Sequence, residues 1–286
     1  MRLNLYNPIK QVRSTHFGDV TSTLNKIFLR PDTSLTICET APKIPLIIII
    51  FACATIPRYK EEIQTIEQTW GHTARASGIP VFYFLGEEQT DLQGPQYIYL
   101  NGVKNDYQSA SYKQFLGYQC VLRQCNPDTI FCAGTDTFIN IPKLQQLVSL
   151  INPESAFLVG NSGTLKEFGP FKGDYFSGGC GLLTTRETHR RIIGFTSFIV
   201  DQWINICNEF HSNLSCACDV VLSFLCHYCS VQFLQCMNMY EFPYNMYDPI
   251  QGTINQSELI SCHTMSKDDF LTFNAILQAN NYFKTT

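Results

Sequence analysis

Three side chains stand out for the chemistry they could do together. Asp136 lies in "DTIFCAGTDTFINI", residues 128–141, where an apolar run stops at Gly134 and resumes at Phe138. Asp219 sits at the head of "CDVVLSFLC", and His263 follows the short apolar stretch "ISC" in the tail. A carboxylate and an imidazole can hold a divalent ion, and a second carboxylate can act as general base. Asp136 and His263 are therefore candidate metal ligands and Asp219 a candidate base. Each also has a plain structural reading: Asp136 as a turn residue, Asp219 as a helix N-cap, His263 as a surface or packed ring. Spacing along the chain does not show that the three meet.

A second group competes with them. Cys216, Cys218, Cys226, His227 and Cys229 could supply four zinc ligands, although C-x-C-x7-C-x2-C is not one of the strong zinc spacings. The other reading is a cysteine-rich core helix. The chain has no P-loop, no G-x-S-x-G elbow and no H-E-x-x-H, and "FSGGCG" is followed by Leu-Leu rather than lysine.

The elements that must position these residues begin at residue 44. "IPLIIIIFACA" is about half the ~20 residues of a membrane helix and suits a strand buried on both faces. Tyr59, Ile63, Ile66 and Trp70 then mark one helical stripe, with Pro57 near its start. Short strands are expected at 78–86, 96–100, 128–134 and 156–160. Helices are expected with Phe115, Tyr118, Leu122 and Cys125 on one face, and over "IPKLQQLVSLI" behind Pro142. Residues 171–192 read as a Gly-rich turn, a strand and a helix capped near Thr184 or Thr185. Residues 216–229 read as a helix opening near Asp219. The tail reads as a short strand, a Ser266 cap with a loose Ser-x-x-Asp capping box, and a last helix. Strands alternating with helices predict an α/β fold with a mainly parallel sheet. Ligands in such sheets bind beyond the carboxyl ends of the strands. Thr55 and the Gly134–Asp136 segment both fall there.

Composition bounds the rest. The chain has 286 residues, 45% hydrophobic and 15% charged, which is globular rather than disordered. A net charge of −4 gives no general pull towards nucleic acid or anionic membrane. Thirteen cysteines, an odd number scattered along the chain, read as reduced thiols rather than a disulfide scaffold. No signal peptide or membrane anchor is visible, so a soluble protein, cytoplasmic or delivered by another route, is expected. Asn213 and Asn255 sit in N-x-S sequons, which arise often by chance. Residues 1–43 are weakly periodic, with "VTSTLNKIFL" open to helix or strand, and form an N-terminal extension of unknown role. Residues 44–286 are expected to form one domain.

The order of motifs resembles the Fringe and β1,3-galactosyltransferase family of inverting, UDP-sugar-dependent glycosyltransferases. The likeness runs from about residue 46 to the C-terminus. It is carried by "ATIPRYKEEIQTIEQTW", "VFYFLGEE", "NDYQSASYKQFLGY", "GTDTFINIPKL", "YFSGGCGLLTTRE", "CDVVLSFLC" and "ISCHTMSKDDF", in that order. The resemblance implies a GT-A-type, Rossmann-like fold and a divalent cation such as Mn²⁺. It implies a UDP-sugar donor and a glycan or protein hydroxyl as acceptor. By it, Asp136 and His263 ligate the metal and Asp219 is the base. Thr55, Arg58, Lys113, Thr135 and Asp136 lie on the donor side, and Ser177, Gly178 and Gly179 on the sugar or acceptor side.

The sequence departs from the family pattern twice. Gly134 and Thr135 stand where the family has the first two acids of its triplet, and Cys218 stands where it has a Glu before the base. Lower local negative charge weakens metal affinity. The alternative is therefore a non-catalytic sugar- or nucleotide-binding protein on the same fold, and a third reading is a zinc-stabilised interaction protein.

Overall fold

Runs of β-branched and aromatic residues at 43–51, 81–85 and 126–133 can bury both faces only inside a sheet covered on both sides. The computed structural model has that sheet. It describes residues 9–11, 28–88, 90–168, 171–245, 247–248, 252–253 and 255–279. Most of "VTSTLNKIFL" lies outside the described residues.

In chain order the elements begin with β1 (Ile9–Gln11), β2 (Lys43–Phe51), α1 (Pro57–Gln68), α2 (Trp70–Ala76), β3 (Val81–Leu85) and β4 (Tyr97–Tyr99). Next come α3 (Ala110–Gln124), β5 (Asn126–Ala133), β6 (Phe138–Ile139), α4 (Ile141–Ser149), β7 (Phe157–Phe168), β8 (Phe171–Ser177), β9 (Leu182–Thr185) and α5 (Arg186–Ile192). The chain continues through α6 (Ile199–Glu209), α7 (Cys218–Tyr228), β10 (Gln232–Cys236) and β11 (Met239–Tyr240). The short pair β12 (Tyr247–Asp248) and β13 (Gly252–Thr253) precedes β14 (Ser261–Cys262) and α8 (Lys267–Ala279).

The main sheet runs β1-β10-β7-β9-β5-β2-β3-β4, with β8 hairpinned onto β7. The pairs β5–β2, β2–β3, β3–β4 and β10–β7 are parallel. β9 lies antiparallel between β5 and β7. The result is a mixed α/β protein with a mainly parallel sheet between two helical layers. Along β2, Leu46, Ile48 and Ile50 face the α1, α2, α4 and α8 side, while Ile47 and Ile49 face α3, α6 and α7. All five are nearly inaccessible, and each contributes roughly 1.5–3 kcal/mol of hydrophobic stabilisation.

Several boundaries differ from expectation for physical reasons. The stripe of Ile63, Ile66 and Trp70 is buried as expected, but the helix breaks at Thr69 (φ −118°, ψ −114°) and restarts as α2. Residues 171–192 begin with strand β8, ahead of the Gly-rich turn. Thr185 precedes α5, but its hydroxyl does not cap the helix; it donates to the Ser155 carbonyl at 2.6 Å. Asp219 is likewise not the N-cap of α7. Ala217 holds that position, and Asp219 lies in the first turn. Helix α6 and strand β10 were not anticipated. Residues 28–42 lie against the domain: Leu29 is buried, and the Cys38 N–H donates to the Leu122 carbonyl at 2.8 Å.

Candidate functional site

Strand order places the site. Starting at β2, the chain adds β3 and β4 on one side, then crosses to add β5 on the other. The crevice beyond the carboxyl ends of β2 and β5 is the switch point where open α/β sheets take ligands. The registers Ile50↔Ala133 and Phe51↔Phe84 bring these ends level. A cavity of about 280 Å³ opens there.

One wall is the turn after β5. Gly134, Thr135 and Asp136 line the cavity, and a Cβ on Gly134 would lie 3.2 Å from Asp136 Oδ1. His263 arrives from far along the chain. β14 is the middle strand of a small sheet, between β11 and β6. Its antiparallel register with β6 is Ser261↔Ile139 and Cys262↔Phe138. Extended by one residue, that register sets His263 opposite Thr137, beside Asp136. His263 Nε2 lies 3.3 Å from Asp136 Oδ2. Burial opposes the imidazolium, but the hydrogen bond and charge of Asp136, helped by Glu241, outweigh it and raise the His263 pKa. Burial likewise works against the Asp136 carboxylate, yet His263 and Arg58 hold its pKa below the usual value.

The second wall is the turn Ser177–Cys180 between β8 and β9, with the start of α7 behind it. Asp219 Oδ2 accepts from the Gly178 N–H at 3.0 Å, and Oδ1 from the Val220 N–H at 2.9 Å. Burial raises the Asp219 pKa, and those two bonds offset it only in part. The two glycines are explained by close approach. A Cβ at 178 would lie 2.9 Å from the Asp219 Cβ, and one at 179 would run into the His263 ring. Gly178–Gly179 is thus a thin spacer with the carboxylate on one residue and the imidazole on the next. The Thr137 hydroxyl donates to the Gly179 carbonyl at 2.7 Å and ties the two walls together.

The third wall holds Cys53, Tyr59, Asp106, Tyr107 and Lys113. Lys113 is buried, and among the described residues its Nζ donates only a long 3.5 Å bond to Asn105 Oδ1. Burial lowers its pKa against the charges of Cys53, Asp106 and Glu88.

The structure therefore gathers Lys113, Thr135, Asp136, Ser177, Gly178, Gly179, Asp219 and His263 around one cavity. Thr55 and Arg58 do not line it. Thr55 is exposed, with its hydroxyl 3.5 Å from Cys53 Sγ. Arg58 Nε donates to Glu62 Oε1 at 2.8 Å, and its charge reaches Asp136. Three carboxylates were missed: Asp106 lines the cavity, and two more stand behind its walls. Glu62, buried on α1, accepts from both Arg58 and the Thr135 hydroxyl. Glu241 accepts from Ser177 Oγ and Cys180 Sγ. The Thr135–Glu62 contact and both Glu241 contacts are long-range and leave no trace in local pattern; only Arg58–Glu62 is an i,i+4 pair.

The alternative zinc reading of the 216–229 cysteines finds no ligand group in the structure. Among the described residues no three His, Cys, Asp or Glu side chains group as a metal site. Cys216 and Cys218 line the cavity, Cys226 is buried in the core, and His227 stacks on Phe233 at 4.0 Å between ring centres. All thirteen cysteines are free thiols. No helix among the described residues is long and apolar enough to cross a membrane.

No family model and no curated protein matches the chain. Solved structures similar to it include the galactosyltransferase LgtC in complex with donor and acceptor sugar analogues. That match has TM-score 0.48 and 10% identity over 80% of this chain and 95% of that one. A glycosyltransferase involved in glycosylation of the major capsid of PBCV-1 gives TM-score 0.44 and 9% identity over 80% and 98%. The apo-form glycosyltransferase GlyE of Streptococcus pneumoniae TIGR4 gives TM-score 0.44 and 12% identity over 83% and 63%.

Proposed function

We propose that the chain is a metal-assisted glycosyltransferase that moves a hexose or N-acetylhexosamine from a UDP-sugar to a glycan or protein hydroxyl, with inversion. The observation that carries this is the Asp136–His263 pair at the carboxyl end of β5, separated from Asp219 by the Gly178–Gly179 spacer. The ordered motifs that resemble the Fringe and β1,3-galactosyltransferase family support the same reading, as does a cavity beyond the carboxyl ends of β2 and β5.

The donor set fits a divalent cation. One carboxylate oxygen and one imidazole nitrogen face each other at 3.3 Å, too few to hold Mn²⁺ alone but suited to an ion that takes its other ligands from phosphate and water. When bound, the cation neutralises charge developing on the departing diphosphate. Lys113 and Thr135 line the donor side of the cavity. Arg58 adds positive charge from outside it. On the opposite side Asp219 takes the proton of the acceptor hydroxyl. The oxygen forms a bond to the anomeric carbon as the bond from that carbon to the diphosphate oxygen breaks. The electron pair leaves with UDP, and a single displacement inverts the centre.

Calorimetric titration of UDP with and without Mn²⁺, on the wild type and on Asp136→Ala, tests the reading. Binding that needs Mn²⁺ and is lost in the variant supports it, and a UDP-sugar screen follows. Binding indifferent to both overturns it. The second reading, a non-catalytic sugar or nucleotide binder, is favoured by Gly134 and Thr135 in place of acids. It predicts binding without turnover and no effect of Asp219→Ala.

A further inference from the structure

Glu241 has no role in the mechanism above, yet it touches both halves of the site. It follows β11, and its carboxylate spans the Ser177–Cys180 turn: Oε2 accepts from Ser177 Oγ at 2.6 Å and Oε1 from Cys180 Sγ at 2.9 Å. These bonds grip the first and last residues of the turn. Between them lie Gly178, whose N–H holds Asp219, and Gly179, whose carbonyl receives the Thr137 hydroxyl. Glu241 also reaches the other wall. Its charge favours the protonated His263 ring.

We propose that Glu241 is a positioning residue: its carboxylate fixes the Ser177–Cys180 turn, and through Gly178 it fixes Asp219, relative to the Asp136–His263 pair. The inference rests on the transferase reading for the work Asp219 does. The side-chain chemistry explains why a glutamate stands here. A hydroxyl and a thiol both donate, so both oxygens must accept. Glutamine would turn a donor towards one of them. Aspartate is one methylene too short to reach where Glu241 reaches.

The test uses the full chain and the variants Glu241→Ala and Glu241→Gln, each alone and combined with Asp219→Ala. Glu241→Ala should lower kcat by about tenfold or more while the KM for donor and the Mn²⁺-dependent affinity for UDP stay within about threefold. In the Asp219→Ala background it should change kcat by less than about twofold, because it acts through a group already removed. The Asp219 carboxyl, followed by ¹³C NMR, should titrate at higher pH in Glu241→Ala, since the Gly178 N–H no longer holds the charged form. Glu241→Gln should fall between alanine and wild type in each measurement, and it carries the test if the alanine variant does not fold. Equal losses of kcat in both backgrounds, a parallel loss of UDP binding, or an unmoved Asp219 titration overturns the proposal. A wild type that transfers no sugar refutes the transferase reading instead, and the Asp219 titration still decides whether Glu241 positions that carboxyl.

Discussion

Two opposing effects act on the Asp219 carboxyl. Burial disfavours its charge, while the backbone N–H groups of Gly178 and Val220 favour it, and burial wins. As the proposed base, Asp219 would have to be ionised to accept a proton, so its raised pKa would move the loss of activity upward in pH. The acid limb of kcat/KM against pH should therefore have its midpoint above the ordinary aspartate value of about 3.9. Asp219→Ala should lower kcat by roughly 10²–10⁴-fold and leave UDP–Mn²⁺ binding in place, measured by initial rates and calorimetry. The adjacent glycines should separate the two functions. Gly179→Ala pushes on the His263 ring and should abolish Mn²⁺-dependent UDP binding. Gly178→Ala pushes on Asp219 and should depress kcat more than binding. Equal effects of the two would contradict the spacer geometry. Asp136, Asp219 and His263 were legible in the sequence because each interrupts or adjoins an apolar run. Glu62 and Glu241 were not. One looks like an ordinary charge on an amphipathic helix and the other sits in a loop, and only tertiary pairing brings each to the site.

Elements with strong local signals formed where the sequence placed them. In α8 the Ser266 and Asp269 side chains cap reciprocally: the Ser266 N–H and hydroxyl donate to Asp269 Oδ2 at 3.0 and 2.6 Å, and the Asp269 N–H donates to Ser266 Oγ at 3.2 Å. Ser266→Ala should cost about 1 kcal/mol and lower the thermal midpoint by a few degrees, read by calorimetry. Because α8 buries Phe270, Phe273 and Leu277 beneath the β6 side of the site, loosening it should also weaken UDP–Mn²⁺ binding slightly. The break at Thr69 was invisible because the buried stripe runs through it from Ile66 to Trp70. Helix α6 was missed although Trp203 and Cys207 are fully buried on it. β10 was missed because five residues carry too little alternation to stand out.

For the molecule as a whole, thirteen free thiols and no disulfide mean that no covalent cross-link contributes to stability. The thermal midpoint should be the same with and without reductant when measured before air oxidation, and thirteen thiols should react in denaturant. A midpoint that falls on reduction would show a bridge that the fold does not contain. The feature with the widest reach is the small sheet β11-β14-β6. Among the described residues, every strand of the main sheet lies at or before Cys236, but the residue that faces Asp136 comes after Cys262. During vectorial synthesis, with the tail still inside the ribosome, a nascent chain can pair its large sheet and bury Asp219 against Gly178 while His263 is still absent. In the proposed reading, the Asp136–His263 pair is therefore completed only after the strands of the large sheet have been made. A molecule stalled or cut ahead of β14 would carry the strands of the large sheet and Asp136, without the imidazole that faces it.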